Sequence, residues 1–441
     1  MSLFAATSLA AAGKIFPYPY VQEDLPNGLR LITVPTDYPN IVSLFIVVGT
    51  GSRNEVEPGK SGFAHLFEHL MFRGSPEFSP ERYQAELQKA GAASNAYTSD
   101  DLTAFHTTFS KEDLPRILSM EADRFQHLAY EPAAFKTETL AVLGEYNKNS
   151  ASPSQKLYET VRATAFKIHP YRHTTMGFIK DIEAMPDEYD YSRQFFDRYY
   201  RPEYTTIVVA GDVDAKKVRS LVDERWGTWK RGNFKPSIPA EPPQDGPRTA
   251  HVDWPSETLP WIDVAYRGPA YTDSTEETAA LDAISRLGFG QTSPLYQKLV
   301  IEERKLDSLG AGGPDNLDPE LFEVRARVKN AADLPSIQQQ ITATAEGFAT
   351  ASVDAKKLET LKRHLRYEFA LGLNNSEAIA GTVARYVALR RTPETINRYY
   401  DEYAKLTPED IRNAARKYLI ERNRTVVTLS SNAGTAKAGA K

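Results

Sequence analysis

The sequence predicts an α+β fold built twice: two similar domains, each with helices packed on a mostly antiparallel sheet. Three observations carry this. First, the chain has 441 residues, and single hydrophobic cores stop growing at about 250–300 residues, so two or more domains are expected. Second, residues 230–248 contain Pro236, Pro239, Pro242, Pro243 and Pro247 with Gly232 and Gly246. Such a segment holds neither a helix nor a central strand and favours an extended connector. Third, the stretches on either side look like weak copies of each other. The first opens on a β-rich run over 41–48 and closes with a helical pattern over 191–200, then Arg201-Pro202, then an apolar strand over 205–210. The second opens over 261–266 and closes with Thr407-Pro408-Glu409-Asp410, a helix through Tyr418, and a strand over 425–429. Thr407 suits the N-cap, with Pro408 at the first helical position. The resulting division is a flexible N-terminus (1–16), an N-terminal domain (17–231), a linker (232–248), a C-terminal domain (249–430) and a disordered tail (431–441). Duplicated domains often face each other across a cleft, and clefts bind ligands.

Composition narrows the function. The formal net charge is −5, which gives no support for a phosphate-binding surface. Cysteine is absent, so disulfides, thiolate metal sites and cysteine nucleophiles are excluded. Any transition metal must sit on His, Asp and Glu. No apolar run reaches the roughly 18 residues a membrane span needs. Residues 2–13 are apolar and Ala-rich, with Ala10-Ala11-Ala12 like a signal cleavage site, but the first cation is Lys14, so the basic start of a signal peptide is missing. This segment reads equally as a loose terminus or as the remnant of a trimmed signal.

The chemistry concentrates in His65-Leu66-Phe67-Glu68-His69, within a helical pattern over 62–73. His65 and His69 are i and i+4, so both leave one helix face and can grip one ion. Such a pair also fits a solvated helix face. Glu68 beside it can reach a metal-bound water without being a ligand, in the reverse of the more familiar His-Glu-x-x-His order. A catalytic zinc site with two His ligands lacks a third, usually a carboxylate. Residues 133–149 form a second helical pattern in which Leu140, Ala141, Val142 and Leu143 supply an apolar face interrupted by Glu138 and Glu145. Acids there are costly unless paired or on a metal. Glu145 is therefore the candidate third ligand, and Glu138 the candidate carboxylate that orients a His or a water.

These residues resemble a known family. Gly49-Thr50-Gly51-Ser52-Arg53-Asn54-Glu55, followed by Gly62-Phe63-Ala64-His65-Leu66-Phe67-Glu68-His69-Leu70-Met71-Phe72-Arg73-Gly74, is similar to the pitrilysin/insulinase zinc peptidases, in the branch of the mitochondrial processing peptidases and their bacterial relatives. The similarity continues through Gly91-Ala92-Ala93-Ser94-Asn95-Ala96-Tyr97-Thr98, His169-Pro170-Tyr171 and Tyr199-Tyr200-Arg201-Pro202, and covers almost the whole chain beyond Phe16. It implies one Zn2+ per chain on His65, His69 and Glu145, with Glu68 as general base. It implies that Ser94, Asn95, Ala96, Tyr97 and Thr98 form an edge strand that pairs with the substrate backbone. Small, β-prone residues there suit such pairing independently. It also implies half of a clam-shell chamber, closed by a second chain.

The sequence departs from the family at one point. Fully working members carry an Arg and a Tyr in the C-terminal half that hold the substrate carbonyl. Here the matching stretch over 299–310 has Arg304 but no Tyr; Ile301 and Asp307 or Ser308 take the expected positions, Tyr296 lies upstream, and Arg304 reads as a solvated helix cation. The resemblance therefore implies a hetero-oligomer in which a sister subunit supplies the Arg/Tyr pair, with a peptide as substrate and a bacterial periplasm or cytoplasm as location. Two alternatives are a homodimeric peptidase without that pair and a non-catalytic scaffold like the core subunits of respiratory complex III. The intact zinc motif argues against the scaffold.

Overall fold

The structure, a computed structural model, describes residues 14–431. It contains two sheets. The first comprises β1 (Val21–Asp24), β2 (Arg30–Pro35), β3 (Ile41–Val48), β4 (Ala93–Thr98), β5 (Thr103–Ser110) and β6 (Thr205–Gly211), in the order β1-β2-β6-β3-β5-β4. The second comprises β7 (Arg248–Trp254), β8 (Trp261–Arg267), β9 (Leu306–Gly312), β10 (Leu321–Val328) and β11 (Arg424–Ser431), in the order β7-β11-β8-β10-β9. Without β1 the two orders superimpose strand for strand. Each sheet has one parallel pair, β2 with β6 and β7 with β11, and is otherwise antiparallel. The duplication read from the closing helix–strand units is thus a duplication of whole sheets. The early strands β1, β2 and β7 lie outside the segments expected from sequence.

The first half contributes α1 (Phe63–Leu70), α2 (Pro80–Lys89), α3 (Leu114–His127), α4 (Pro132–Ser150), α5 (Pro153–Ala165), α6 (Ile179–Ala184), α7 (Tyr189–Tyr199) and α8 (Ala215–Trp226). The second contributes α9 (Glu277–Phe289), α10 (Pro294–Tyr296), α11 (Leu334–Gly347), α12 (Ala355–Gly372), α13 (Ser376–Arg390), α14 (Glu394–Lys405) and α15 (Pro408–Tyr418). Helix α15 begins with a capping box in which Thr407 and Asp410 satisfy each other's backbone N–H.

Both faces of each sheet are covered, and the period-2 alternation of the strands shows how. In β3, Leu44, Ile46 and Val48 join the core built by α1, α3 and α4, whereas Phe45 and Val47 face the opposite side. That opposite side is covered by α13 of the second half, through Ile379, Ala380, Val383, Ala384 and Val387. Reciprocally, Leu157, Val161 and Ala165 of α5 pack on Ala265, Val427 and Leu429 of the second sheet. The halves exchange a helix, so the chain division at the linker is not the division of the cores.

The connector over 230–247 has no regular structure, and β7 starts at Arg248, one residue before the expected start of the C-terminal domain. It is tied down at Glu241, whose carboxylate accepts the backbone N–H groups of Lys167, Ile168 and His169 at 2.7, 2.8 and 2.9 Å. The expected flexible termini fall mostly on residues 1–13 and 432–441, outside the described residues. Within them the boundaries move outward. Phe16 is buried and its N–H donates to Asn397 Oδ1 at 3.1 Å, because Phe16 completes the core under α13. Ser431 is the last residue of β11, and its Oγ accepts the N–H of Thr258 at 2.8 Å.

Candidate metal centre

Helix α1 follows a turn that only glycine suits. Gly62 has φ 93°, and a Cβ there would come within 2.8 Å of Met176 O. The free N–H groups at the start of α1 are met by Glu55, whose carboxylate accepts Gly62 N and Ala64 N, each at 2.7 Å. Burial pushes the Glu55 carboxyl up to about 8, against the pull of those two bonds. Phe63, Leu66, Phe67 and Leu70 fix one side of the helix in the core. His65 and His69 are left together on another side, with ring centroids 4.9 Å apart and planes at 79°.

Helix α4 brings the carboxylates. Its buried residues are Phe135, Glu138, Thr139, Val142 and Tyr146. The apolar face expected around Leu140 is corrected here: Leu140 is exposed, because the helix turns the Phe135–Val142 stripe inward and Leu140, two residues before Val142, lies about 200° around the helix from it. Glu145 Oε2 lies 3.6 Å from His65 Nε2 and 3.6 Å from His69 Nε2. All three donor atoms fall within 4.8 Å of one another. Donors about 2.1 Å from a tetrahedral zinc sit roughly 3.4 Å apart, so the cluster has the size and the N, N, O chemistry of a zinc site. Burial and the neighbouring His69 push His65 down to about 4, which keeps the imidazole neutral and able to ligate near pH 7. His65 is buried while Glu145 is partly exposed, leaving one open side.

Glu138 stands behind His69. Its Oε2 lies 3.3 Å from His69 Nδ1, and its Oε1 contacts the Arg73 guanidinium. A carboxylate on Nδ1 fixes the tautomer that frees Nε2 for an ion. His65 is held by packing instead; its Nδ1 is buried without a hydrogen-bond partner. Glu68 lies close enough to His69 and Glu145 for their charges to act on its carboxyl, and Thr98 Oγ1 donates to its Oε2 at 2.8 Å. Burial raises the Glu68 carboxyl and the Thr98 bond opposes that.

Thr98 ends β4, the last strand of the first sheet, which pairs with β5 alone and leaves its other edge open. Ala96 belongs to the core that contains α1, while Tyr97 turns toward His106 on the opposite face. Ser94 and Ala96 therefore share the face of Thr98, and Asn95 and Tyr97 lie on the other. All five residues singled out from sequence thus lie on one exposed edge that meets α1 at Glu68. Sequence reasoning did not assign Arg73, the Thr98–Glu68 bond or the Glu55 cap. Arg73 follows His69 by four residues, which is the one local signal available for it. Arg304 is also corrected: it is not helical but sits at φ 52° in the exposed turn between the π-helical segment Gln297–Glu302 and β9.

Fold and donor set define a class: a duplicated α+β chain whose first half presents a three-donor metal cluster beside an open sheet edge. Two family models match it, Insulinase (Peptidase family M16) over residues 30–178 and Peptidase M16 inactive domain over residues 188–365. The chain belongs to peptidase family M16. It is 29% identical to "Zinc protease PqqE" of Helicobacter pylori over 414 residues, 92% of this chain and 91% of that protein. It is 22% identical to mitochondrial-processing peptidase subunit beta of Blastocladiella emersonii, over 97% of this chain and 92% of that protein. The crystal structure of a protease from Helicobacter pylori superimposes with a TM-score of 0.87 at 28% identity, covering 94% of this chain and 99% of that one.

Proposed function

We propose that this chain is the zinc-carrying catalytic subunit of a metalloendopeptidase that hydrolyses peptides or short unfolded segments. His65, His69 and Glu145 hold one Zn2+. When bound, the ion polarises the scissile carbonyl and makes a water acidic enough to react near neutral pH. Glu68 takes the proton of the attacking water on the oxygen not engaged by Thr98. It then delivers that proton to the leaving nitrogen as the C–N bond breaks. Glu138 keeps His69 in its ligating tautomer. The peptide lies extended along β4, its backbone paired with residues 94–98 and its side chains alternating between the two faces.

A sister subunit supplies the Arg/Tyr pair that stabilises the oxyanion. What supports this is the stretch over 299–310, which has no Tyr and exposes Arg304 in a turn, together with the likeness to a protein named as a subunit. Removing an oxyanion donor typically costs about 3–4 kcal/mol, so the lone chain is far slower than the pair. A bacterial periplasm or cytoplasm suits it; among the described residues no helix is long and apolar enough to cross a membrane.

The observation that carries the proposal is the convergence of the two Nε2 atoms and Glu145 Oε2 beside Glu68. Glu68→Gln tests it. Retained zinc with cleavage reduced on the order of 10²–10⁴-fold is expected. Undiminished cleavage by Glu68→Gln removes Glu68 from its role.

A further inference from the structure

We propose that Thr98 is the positioning residue for Glu68, and that the turn after Thr98 carries the registry of the two halves to that carboxylate. The inference rests on the proposed role of Glu68. A glutamate has three rotatable bonds, and Glu68 sits next to His69, so an untethered carboxylate can swing into solvent or onto the metal position itself. The Thr98 hydroxyl holds Oε2 at 2.8 Å and presents the other oxygen. Thr98 also ends the strand on which the peptide is proposed to pair, so the residue that holds the base is the residue where the peptide's strand meets it.

Thr98 is held in its turn from both halves of the molecule. It pairs with Thr103 across the hairpin, and Ser99 N donates to Leu102 O at 2.8 Å. Gly51 approaches so closely that a Cβ there would lie 2.2 Å from Ser99 O. Asp100 accepts Ser52 Oγ at 2.8 Å on one oxygen and the buried Arg162 guanidinium at 2.9 Å on the other. Asp101 accepts Tyr171 Oη at 2.6 Å on one oxygen and Leu317 N of the second half at 2.9 Å on the other. Arg162 reaches across as well, to Glu320 at 3.4 Å. A hairpin turn that served only to connect two strands would be left to water. Here every carboxylate oxygen of two consecutive acids has a protein partner; Asp101 reaches the other half directly through Leu317 N, and Asp100 through Arg162, which also contacts Glu320.

The test compares Thr98→Val, which keeps the shape and loses the hydroxyl, with Thr98→Ser, which keeps the hydroxyl. Glu68→Gln is measured in parallel. Four quantities are read: kcat, KM, zinc per chain, and the Glu68 rotamer in a crystal structure of zinc-loaded Thr98→Val. A hydrogen bond to a charged group is worth on the order of 10- to 100-fold, so kcat of Thr98→Val falls by about that factor while KM and zinc content hold. Thr98→Ser recovers most of the loss, and the Glu68 carboxylate is displaced in the Val structure. Tyr171→Phe removes the hydroxyl that donates to Asp101 and accepts the Asp318 N–H of the second half at 3.3 Å; it lowers kcat by a smaller factor, about fivefold, at unchanged zinc content. Unchanged kcat in Thr98→Val, or Ser as impaired as Val, overturns the positioning role; so does a loss confined to KM. Unchanged kcat in Tyr171→Phe overturns the interdomain part. Full activity of Glu68→Gln instead overturns the base assignment beneath both. If Thr98→Val does not fold, Thr98→Ala makes the same comparison.

Discussion

Helix α1 follows β3 and presents His65 and His69 one turn apart; helix α9 follows β8 and presents Asp282 and Arg286 at the same spacing. Helix α4 sets Glu145 against the first pair, and α12, its counterpart in the element order, sets Glu368 against the second. In the second half Arg286 lies 3.3 Å from Asp282 and 3.0 Å from Glu368, so a guanidinium sits between two carboxylates. In the first half three lone-pair donors converge with no side-chain cation among them. On the function proposed above, both helix pairs hold positive charge, and the first takes it from solution; an ion from solution would keep an open position for water and substrate that a guanidinium cannot offer. The family model described as the inactive domain spans residues 188–365, which include Asp282 and Arg286.

The largest effect expected bears on whether the halves can be compared as separate objects. Each sheet loses one covering helix when the chain is split at the linker. Burying Ile379, Val383 and Val387 contributes on the order of 5 kcal/mol, a large share of a typical domain's stability. Residues 14–231 expressed alone therefore fail to give a cooperative thermal transition, and co-expression with the remainder restores it; a stable lone half breaks the exchange picture. Next in size is the contrast between the two charge clusters. His65→Ala or Glu145→Ala lowers peptide cleavage on the order of 10³-fold or more, while Arg286→Met leaves it within about twofold in the same assay. Glu138→Gln comes third: loss of the carboxylate behind His69 weakens zinc binding about 10- to 100-fold in a competition titration with a chromogenic chelator. Smallest is the effect of Arg286→Met on chemical denaturation. Its partners are partly exposed, so the cost is about 1 kcal/mol or less.

Much of the site was legible because its chemistry is local. The i, i+4 spacing of His65 and His69 puts both rings on one helix face, and Glu138, buried beside Phe135 and Val142, is an acid that needs a partner, whereas Glu145 is partly exposed and that argument does not reach it. What escaped was long-range or ambiguous in period. Nothing in the sequence of residues 153–165 or 376–390 says that each covers the other half's sheet. The stretch Leu140-Ala141-Val142-Leu143 is apolar all round, so pattern alone could not say that Val142 faces in and Leu140 out. The Thr98–Glu68 bond joins a helix to a strand 30 residues on, and the Arg286 triad uses residue types that usually mark a solvated face.

The central claim is that the first half takes up a cation that the second half supplies for itself. Zinc per chain, measured by elemental analysis after dialysis against excess zinc and then buffer, tests it most directly. One zinc for the natural chain and for Arg286→Met, with essentially none for Glu145→Ala, is the predicted result. No zinc in the natural chain, or a full complement in Glu145→Ala, contradicts it.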